Sequence, residues 1–74
     1  MDKDEAIEIA LQVLNQEFEI PDEDAIIVTY IEATDEGWHI ECNSRIFMET
    51  DDLLYALVTA PLLVRPDGTY RFVF

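Results

Sequence analysis

The sequence predicts an α+β domain in which one long N-terminal helix packs on a small antiparallel sheet of about four strands, with a short second helix. Three observations predict it. Apolar residues recur at helical spacing near the N-terminus, residues 37–42 alternate between apolar and polar, and two turn signals separate strand-like segments. The chain has 74 residues, half of them apolar, which indicates a single domain with one core over residues 1–74.

The first predicted element is a helix over residues 2–18. Asp2 or Asp4 is suited to cap it, because an aspartate side chain accepts hydrogen bonds from the free N–H groups of the first turn. Ile20-Pro21 ends it, because the residue before a proline avoids the helical region. The apolar positions form a stripe wide enough to lie deep against a sheet: Ala6, Ile7, Ile9, Ala10, Leu11, Val13, Leu14 and Phe18.

Two strands joined by a turn form the predicted first hairpin. Residues 25–33 are rich in β-branched side chains, residues 37–42 alternate in polarity, and residues 34–37 have turn composition. A symmetric loop places apolar residues on the face that meets the helix, so Trp38 is predicted to lie in the core. The expected pairs on that face are Ala33 with Trp38, Ile31 with Ile40, and Thr29 with Cys42.

The opposite face of this hairpin is mixed in character, and we interpret it as solvated or as a binding face for a partner. Its expected cross-strand pairs are Glu32 with His39, Tyr30 with Glu41, and Val28 with Asn43. One helix cannot cover both faces of a four-stranded sheet, so an uncovered apolar patch is expected to bind a second copy of the chain or another protein. That patch would comprise Ile26, Val28, Tyr30, Leu63 and Val73.

The segment between the two hairpins is predicted to contain an extended piece and the second helix. Ser44-Arg45 bends the chain, and residues 46–48 supply a short apolar strand or extended arm. Thr50 or Asp51 then caps a brief helix over residues 52–58. Helical spacing predicts that four apolar side chains of this helix face inward: Leu53, Leu54, Leu57 and Val58.

A second hairpin closes the predicted sheet. Residues 61–65 form its first strand, and Arg65-Pro66-Asp67-Gly68 is a strong turn signal, with proline at the second position and glycine where φ is positive. A three-residue loop brings the apolar residues together, whereas a two-residue loop would place Leu62 beside Arg71. The preferred register pairs Val64 with Tyr70, Leu63 with Arg71, and Leu62 with Phe72, and the strand continues to Phe74.

The formal charge of −13 is concentrated in the first half of the chain. Residues 1–36 carry twelve acids and one lysine, whereas residues 37–74 carry five acids and three arginines. Such a surface excludes simple binding to nucleic-acid backbones, which requires lysine and arginine to displace counterions. It favours a basic protein partner through electrostatic steering, although acidity that serves only solubility explains the composition as well.

The chain lacks the patterns that carry enzyme chemistry, and no catalytic, metal-binding or cofactor-binding residue is expected. It has no Gly-rich phosphate loop, no C-x-x-C and no second histidine for a metal pair. His39 and Cys42 are three residues apart on a strand, so they face opposite sides and cannot form a nucleophile–base pair. Asp22-x-Asp24 lacks the later ligands of a calcium loop, and a helix cap explains residues 49–52 more simply than a cation site.

Composition favours a cytoplasmic protein without a membrane segment. A single cysteine cannot form an internal disulfide, which fits a reducing compartment. The N-terminal residues do not have the pattern of a signal peptide, and no apolar run approaches the ~18 residues of a membrane helix. The longest candidate, residues 53–64, is broken by Thr59 and Pro61.

The order and spacing of several short motifs resemble the immunity protein 35 family, whose members are immunity domains of bacterial polymorphic toxin systems. The resemblance spans nearly the whole chain and includes the opening Glu5-Ala6-Ile7. The chain departs from the family at Val58-Thr59-Ala60, where the family usually has a Gly-rich step, and at Asp51, where it often has glycine. The motifs are Gly37-Trp38, Ser44-Arg45-x-Phe47-Met48-Glu49-Thr50-x-Asp52, Pro61-Leu62-Leu63-Val64 and Asp67-Gly68.

This resemblance implies a small cytoplasmic protein that binds and blocks a cognate toxin and has no catalytic activity of its own. It implies no particular binding residues. Two other hypotheses remain open from the residues alone. The acids could imitate DNA phosphates at a DNA-binding protein, as in a phage-type inhibitor, or the chain could be a small chaperone-like module.

The residues expected to meet a partner are taken from the helix–strand loop, the first turn and the mixed face of the hairpin. The partner is expected to be a basic protein, a cognate toxin, and neither nucleic acid nor a membrane; a homodimer is a further expectation. Charged residues are expected to speed encounter, and Tyr30 to supply an aromatic centre. The set is Asp22, Glu23, Asp24, Tyr30, Glu32, Asp35, Glu36, His39 and Glu41.

Overall fold

A long helix lies across one face of a four-stranded antiparallel sheet, as the sequence predicts. The computed structural model describes residues 1–58 and 60–74; Thr59, part of the step where the family usually has glycine, lies outside them. The strands pair in the order β1-β2-β3-β4, so each strand pairs with the next one along the chain. The elements are α1 (Lys3–Glu17), β1 (Ile26–Ala33), β2 (Trp38–Ser44), α2 (Arg45–Thr50), β3 (Leu62–Val64) and β4 (Tyr70–Phe72).

Helix α1 begins at an aspartate cap and buries small side chains against the sheet. The Oδ1 atom of Asp2 accepts a hydrogen bond from the Glu5 N–H at 2.9 Å, which satisfies a donor that the first turn leaves free. Ala6 and Ala10 are completely buried, so the helix backbone approaches the strands closely. The core between helix and sheet consists of Ala6, Ala10, Val13, Leu14, Ile26, Ile40, Cys42, Leu62 and Val64.

The register of the first hairpin is as predicted near its turn and wrong beyond Tyr30. A β-bulge between Val28 and Tyr30 adds one residue to β1, so Val28 rather than Thr29 pairs with Cys42. The bulge turns Ile26 and Val28 onto the helix-facing side, where they contact the core. The predicted outward position of these two side chains is therefore wrong. The Thr29 hydroxyl donates to the Glu41 carbonyl at 3.1 Å.

The middle segment differs from the sequence prediction. Residues 46–48, predicted as extended, lie in helix α2, and residues 52–58, predicted as a helix, form turns and irregular backbone. Ser44 caps α2, because its Oγ accepts from the Phe47 N–H at 3.1 Å. Asp51 adopts a left-handed conformation with φ 57°, which ends the helix where the prediction had another one begin.

Replacing Asp51 with glycine is expected to stabilise the fold by about 0.5–1 kcal/mol. A left-handed residue after a helix costs less free energy when it lacks a Cβ, and glycine is the usual residue at this position. Chemical denaturation of wild-type, Asp51→Gly and Asp51→Ala proteins measures the effect. Asp51→Ala is the control and should lower the free energy of unfolding. A glycine variant less stable than wild type would contradict the role assigned to this backbone conformation.

The second hairpin has the predicted three-residue loop. Leu62 pairs with Phe72, Leu63 with Arg71 and Val64 with Tyr70. Gly68 adopts φ 87°, which glycine tolerates and other residues avoid. Strand β3 is buried along its whole length and pairs with β2 next to Trp38, which is partly buried against the core. Neither helix in residues 1–58 and 60–74 has the length and apolar character needed to cross a membrane.

Candidate protein-binding face

The sheet face that points away from α1 carries the mixed set of side chains that the sequence predicts. Alternation along the strands places these residues opposite the core residues Ile40, Leu62 and Val64. Leu63 is buried on this side, with 4% of its surface exposed. The prediction that Leu63 belongs to an uncovered apolar patch is therefore wrong. We call this surface the outer face; it comprises Tyr30, Glu32, His39, Glu41, Leu63 and Arg71.

Four outer-face side chains on β1 and β2 hold one another in place. The Tyr30 hydroxyl donates to Glu32 at 2.7 Å, and the Tyr30 and His39 rings meet edge-to-face with centroids 6.0 Å apart. His39 Nε2 lies 3.1 Å from a Glu41 carboxylate oxygen. The predicted cross-strand neighbours Glu32 and His39 are opposite each other, yet each side chain finds its partner two residues away on its own strand. The result is a half-exposed aromatic ring between two carboxylates.

The Glu32 carboxylate also changes the acidity of Tyr30. Its hydrogen bond and its negative charge raise the pKa of the tyrosine hydroxyl above the usual value. Tyr30 therefore stays a neutral hydrogen-bond donor at physiological pH. Nearly half of its surface, 48%, is exposed, so the ring can contact another molecule.

Glu36 occupies a structural position and is not a free surface charge. Arg71 Nε and Nη2 donate to its two oxygens at 3.1 and 3.2 Å, and Arg65 Nε lies 3.3 Å away. The hydrogen bonds from Arg71 lower the pKa of Glu36, and the charge of Arg65 adds to the effect. These contacts tie the first turn to the second hairpin. The neighbouring Asp35 is exposed and has no ion pair among residues 1–58 and 60–74.

Asp24 is also structural, because its carboxylate organises the start of helix α2. It accepts hydrogen bonds from the Ser44 hydroxyl, from the Ile46 N–H at 3.1 Å and from the Ala25 N–H at 2.7 Å. Ser44 is completely buried, and its hydroxyl donates to Asp24 and accepts from the Phe47 N–H. Arg45 reinforces the link by donating to the Glu23 carbonyl. Asp22 and Glu23 keep exposed side chains.

The Asp24 link is expected to contribute stability that depends on pH. Desolvation acts to raise the pKa of Asp24, but the hydrogen bonds from Ser44, Ile46 and Ala25 and the charge of Arg45 outweigh it and lower the pKa below its usual value. A carboxyl whose pKa is lowered by folding stabilises the native state above its unfolded pKa. That stability is lost as pH falls through the folded pKa.

Urea denaturation of wild type and Asp24→Asn at pH 7, 5 and 3 tests this expectation. Wild type should be more stable than the variant by the same amount at pH 7 and 5, and the difference should shrink at pH 3. Asp22→Asn is the matched control, since Asp22 is exposed, and should change stability little. A difference for Asp24→Asn that is unchanged at pH 3 would show that the ionised carboxylate is not responsible.

The structure brings four of the nine predicted site residues together and separates the others. Tyr30, Glu32, His39 and Glu41 form the outer-face cluster described above. The two acidic turns lie at opposite ends of β1, roughly 20–25 Å apart for a strand of this length. The predicted acidic set is therefore two separate groups on either side of an aromatic centre, and the carboxylates of Asp24 and Glu36 are already engaged by other residues of the protein.

Sequence reasoning missed an exposed apolar segment next to this face. Residues 52–58, which we call the apolar loop, expose Leu53, Leu54 and Val58, all three predicted to face inward. Only Leu57 contacts the core as predicted. A recess of about 140 Å³ joins this loop to the outer face; its lining includes Thr29, Glu41, Asn43, Leu57 and Pro61. The run Thr50-Asp51-Asp52, whose residues favour turns, was the sequence feature that could have predicted a loop here.

Cys42 faces the helix side and not the outer face, as its offset from His39 predicts. It is buried, and burial raises the pKa of its thiol to about 11. The thiol is therefore protonated and a poor nucleophile at neutral pH. Among residues 1–58 and 60–74, no group of three or more His, Cys, Asp or Glu side chains is arranged to hold a metal ion.

The fold and this face define a small acidic α+β domain with one helix-covered and one partly open sheet face. Residues 4–73 match the family described as Immunity protein 35. The chain belongs to the immunity protein 35 family, and the match covers nearly its whole length. No curated protein and no solved structure matches the chain.

Proposed function

We propose that this protein binds a cognate bacterial toxin directly and blocks it without catalysis, in the cytoplasm. Membership of an immunity protein family supports the proposal. The observation that carries it is the outer-face cluster, where Tyr30 and His39 are held between Glu32 and Glu41. A prearranged aromatic and carboxylate surface suits protein binding, because little side-chain freedom remains to be lost on association.

The proposed partner surface is basic. The formal charge of −13 creates a field that attracts a cationic protein, and exposed acids lie at both ends of the outer face. Charges at the rim of an interface chiefly raise the association rate, whereas buried aromatic residues contribute to affinity. Asp22, Glu23 and Asp35 suit the first role and Tyr30 the second.

Mimicry of nucleic acid has less support than toxin binding. It requires a row of unengaged carboxylates, whereas Glu32, Glu36 and Glu41 each have a side-chain partner on the outer face. A chaperone-like module would instead bind many unfolded chains without a specific partner. Both alternatives make different predictions in the experiment below.

Co-expression with a candidate toxin, identified as the product of a gene adjacent to this one, tests the proposed function. The wild-type chain should restore growth of cells that express the toxin, and the two purified proteins should elute together at an equimolar ratio. An immunity protein paired with a different toxin is the control. No rescue and no complex would reject the proposal. Displacement of the partner by DNA would favour mimicry, and suppression of aggregation of unrelated proteins would favour a chaperone.

A further inference from the structure

The apolar loop exposes three large aliphatic side chains within six positions. Leu53 is 79% exposed, Leu54 91% and Val58 92%. Single exposed apolar residues are common on soluble proteins, but a group of this kind on a strongly acidic chain marks an interaction surface. Solubility therefore does not explain why these three side chains are exposed.

The backbone of the apolar loop is held in a defined conformation. Leu54 N–H donates to the Asp52 side chain at 3.0 Å, and Tyr55 N–H donates to the Asp52 carbonyl at 3.0 Å. At the other end, Leu57 N–H donates to Asn43 Oδ1 at 2.9 Å while the Leu57 side chain packs against the core. The two exposed leucines thus project from a turn fixed at both ends, which lowers the entropy cost of binding through them.

Charge determines what kind of partner can cover this loop. Asp51 and Asp52 directly precede the two leucines, are exposed, and take part in no ion pair within residues 1–58 and 60–74. A second copy of the chain would bring its own carboxylates against them and add another formal charge of −13, which opposes association. A partner with lysine or arginine around an apolar recess satisfies both the leucines and the carboxylates.

The loop is continuous with the outer face. Glu41 of the outer face and Leu57 of the apolar loop line the same recess, together with Thr29, Cys42 and Pro61, so the two surfaces meet at one depression at the edge of the sheet. An interface centred on the loop would extend across this depression to Tyr30. The two surfaces form one candidate interface, with the larger exposed apolar area at the loop.

We propose that Leu53 and Leu54 are the affinity centre of the toxin interface, inserting into an apolar recess on the toxin whose basic rim meets Asp51 and Asp52. The proposal rests on the proposed function and specifies its binding surface. Interface energy concentrates in a few desolvated apolar anchors surrounded by polar groups, and this arrangement matches the loop.

The test uses the adjacent-gene toxin in a catalytically inactive form and measures its binding kinetics with wild type and with Leu53→Ser/Leu54→Ser. The double variant should weaken binding by about 30-fold or more, mainly through faster dissociation. Tyr70→Ser is the matched control, since Tyr70 is exposed at the end of β4 that pairs with Val64, away from Pro61 and the apolar loop, and it should change affinity less than about twofold. Both variants alter exposed residues, and thermal unfolding should confirm that each keeps wild-type stability.

A second measurement places a probe on the loop. The Leu54→Cys variant is labelled with a small polarity-sensitive maleimide, which reacts selectively because the Cys42 thiol is buried with a pKa of about 11. Toxin binding should shift the probe emission to shorter wavelength, whereas the same probe at Gln12→Cys, on the exposed side of α1, should not respond.

Four outcomes would overturn the loop assignment. Toxin affinity of the double variant within about threefold of wild type, or an unchanged probe signal on a bound complex, would reject the loop while leaving the proposed function intact. A wild-type dimer that the double variant abolishes would make the occupant a second copy. Failure of the wild-type chain to bind or protect would reject the proposed function, and the loop assignment with it.

Discussion

Gly37→Ala is expected to destabilise the protein by about 3 kcal/mol, a large part of the stability of a domain this small. An added Cβ would lie 2.9 Å from the Val64 carbonyl carbon and 3.0 Å from Arg65 Cα, and closer still to the Val64 carbonyl oxygen. These are backbone atoms of Val64, the last residue of the buried strand β3, and of Arg65 directly after it, so they cannot move aside as a flexible side chain can. The φ angle of +157° adds strain for any residue with a side chain.

Thermal and urea denaturation measure this effect, and the melting temperature should fall by roughly 15 °C. Gly68→Ala is the control, because Gly68 also has positive φ, at +87°, but no atom lies within 4 Å of its added Cβ. This variant should lower the free energy of unfolding by about 1 kcal/mol, because only the backbone conformation disfavours alanine there. If the two alanine variants were equally stable, close approach of the first turn to β3 would not be what requires glycine at position 37.

Association with the proposed toxin partner is expected to slow by about tenfold or more when ionic strength rises from about 0.01 M to 0.15 M. The screening length falls from about 30 Å to about 8 Å over that range, so distant surface charges cease to attract the partner. Dissociation should change much less, because contacts inside the interface are screened less. Stopped-flow or surface-based kinetics at several salt concentrations measure both rates.

Two triple variants separate local steering from the effect of net charge. Asp22→Asn/Glu23→Gln/Asp35→Asn removes exposed acids at the ends of the outer face and should lower the association rate. Asp4→Asn/Glu8→Gln/Glu17→Gln removes the same charge from the exposed surface of α1 and should have a smaller effect. Glu36 is left in place, since its removal would free Arg65 and Arg71. Equal effects of the two variants, or association that salt does not slow, would indicate that the acids serve only solubility.

The hairpin registers show where sequence patterns determine structure and where they do not. Turn composition and alternation of polarity fixed the pairing of Ala33 with Trp38 and of Leu62 with Phe72, because a wrong register would expose one face of apolar residues. The bulge at Thr29 escaped this reasoning. It brings Val28 onto the core face, and that gain depends on packing against α1, which local patterns do not contain.

The second helix was misplaced because two local signals competed. Apolar spacing over residues 53–58 favoured a helix there, whereas the cap at Ser44 and the left-handed Asp51 place it one segment earlier. The cap depends on Asp24, which lies twenty residues before Ser44 along the chain. Its carboxylate accepts hydrogen bonds from the Ser44 hydroxyl and from the Ile46 N–H. A contact between residues so far apart along the chain leaves no pattern in a short stretch of sequence.

The outer face was predictable in composition but not in its contacts. Alternation correctly gathered Tyr30, Glu32, His39 and Glu41, because all four point to the same side of two paired strands. The Tyr30 hydroxyl donates to Glu32, and His39 contacts Glu41 instead of Glu32; local patterns do not predict this choice of partners. The engagement of Glu36 by Arg71, thirty-five residues away, depended on how the second hairpin docks beside the first.

The sequential strand order has a kinetic consequence. Because every strand pairs with its neighbour along the chain, the sheet can assemble by adding one hairpin segment after another, without waiting for distant parts to meet. Mixed helix-and-sheet domains fold more slowly than helical bundles, which take about microseconds to milliseconds, and faster than all-β proteins dominated by non-local pairing, which take about milliseconds to seconds. A protein that we propose to protect its own cell would then be ready to capture its target soon after synthesis, before an active toxin accumulates.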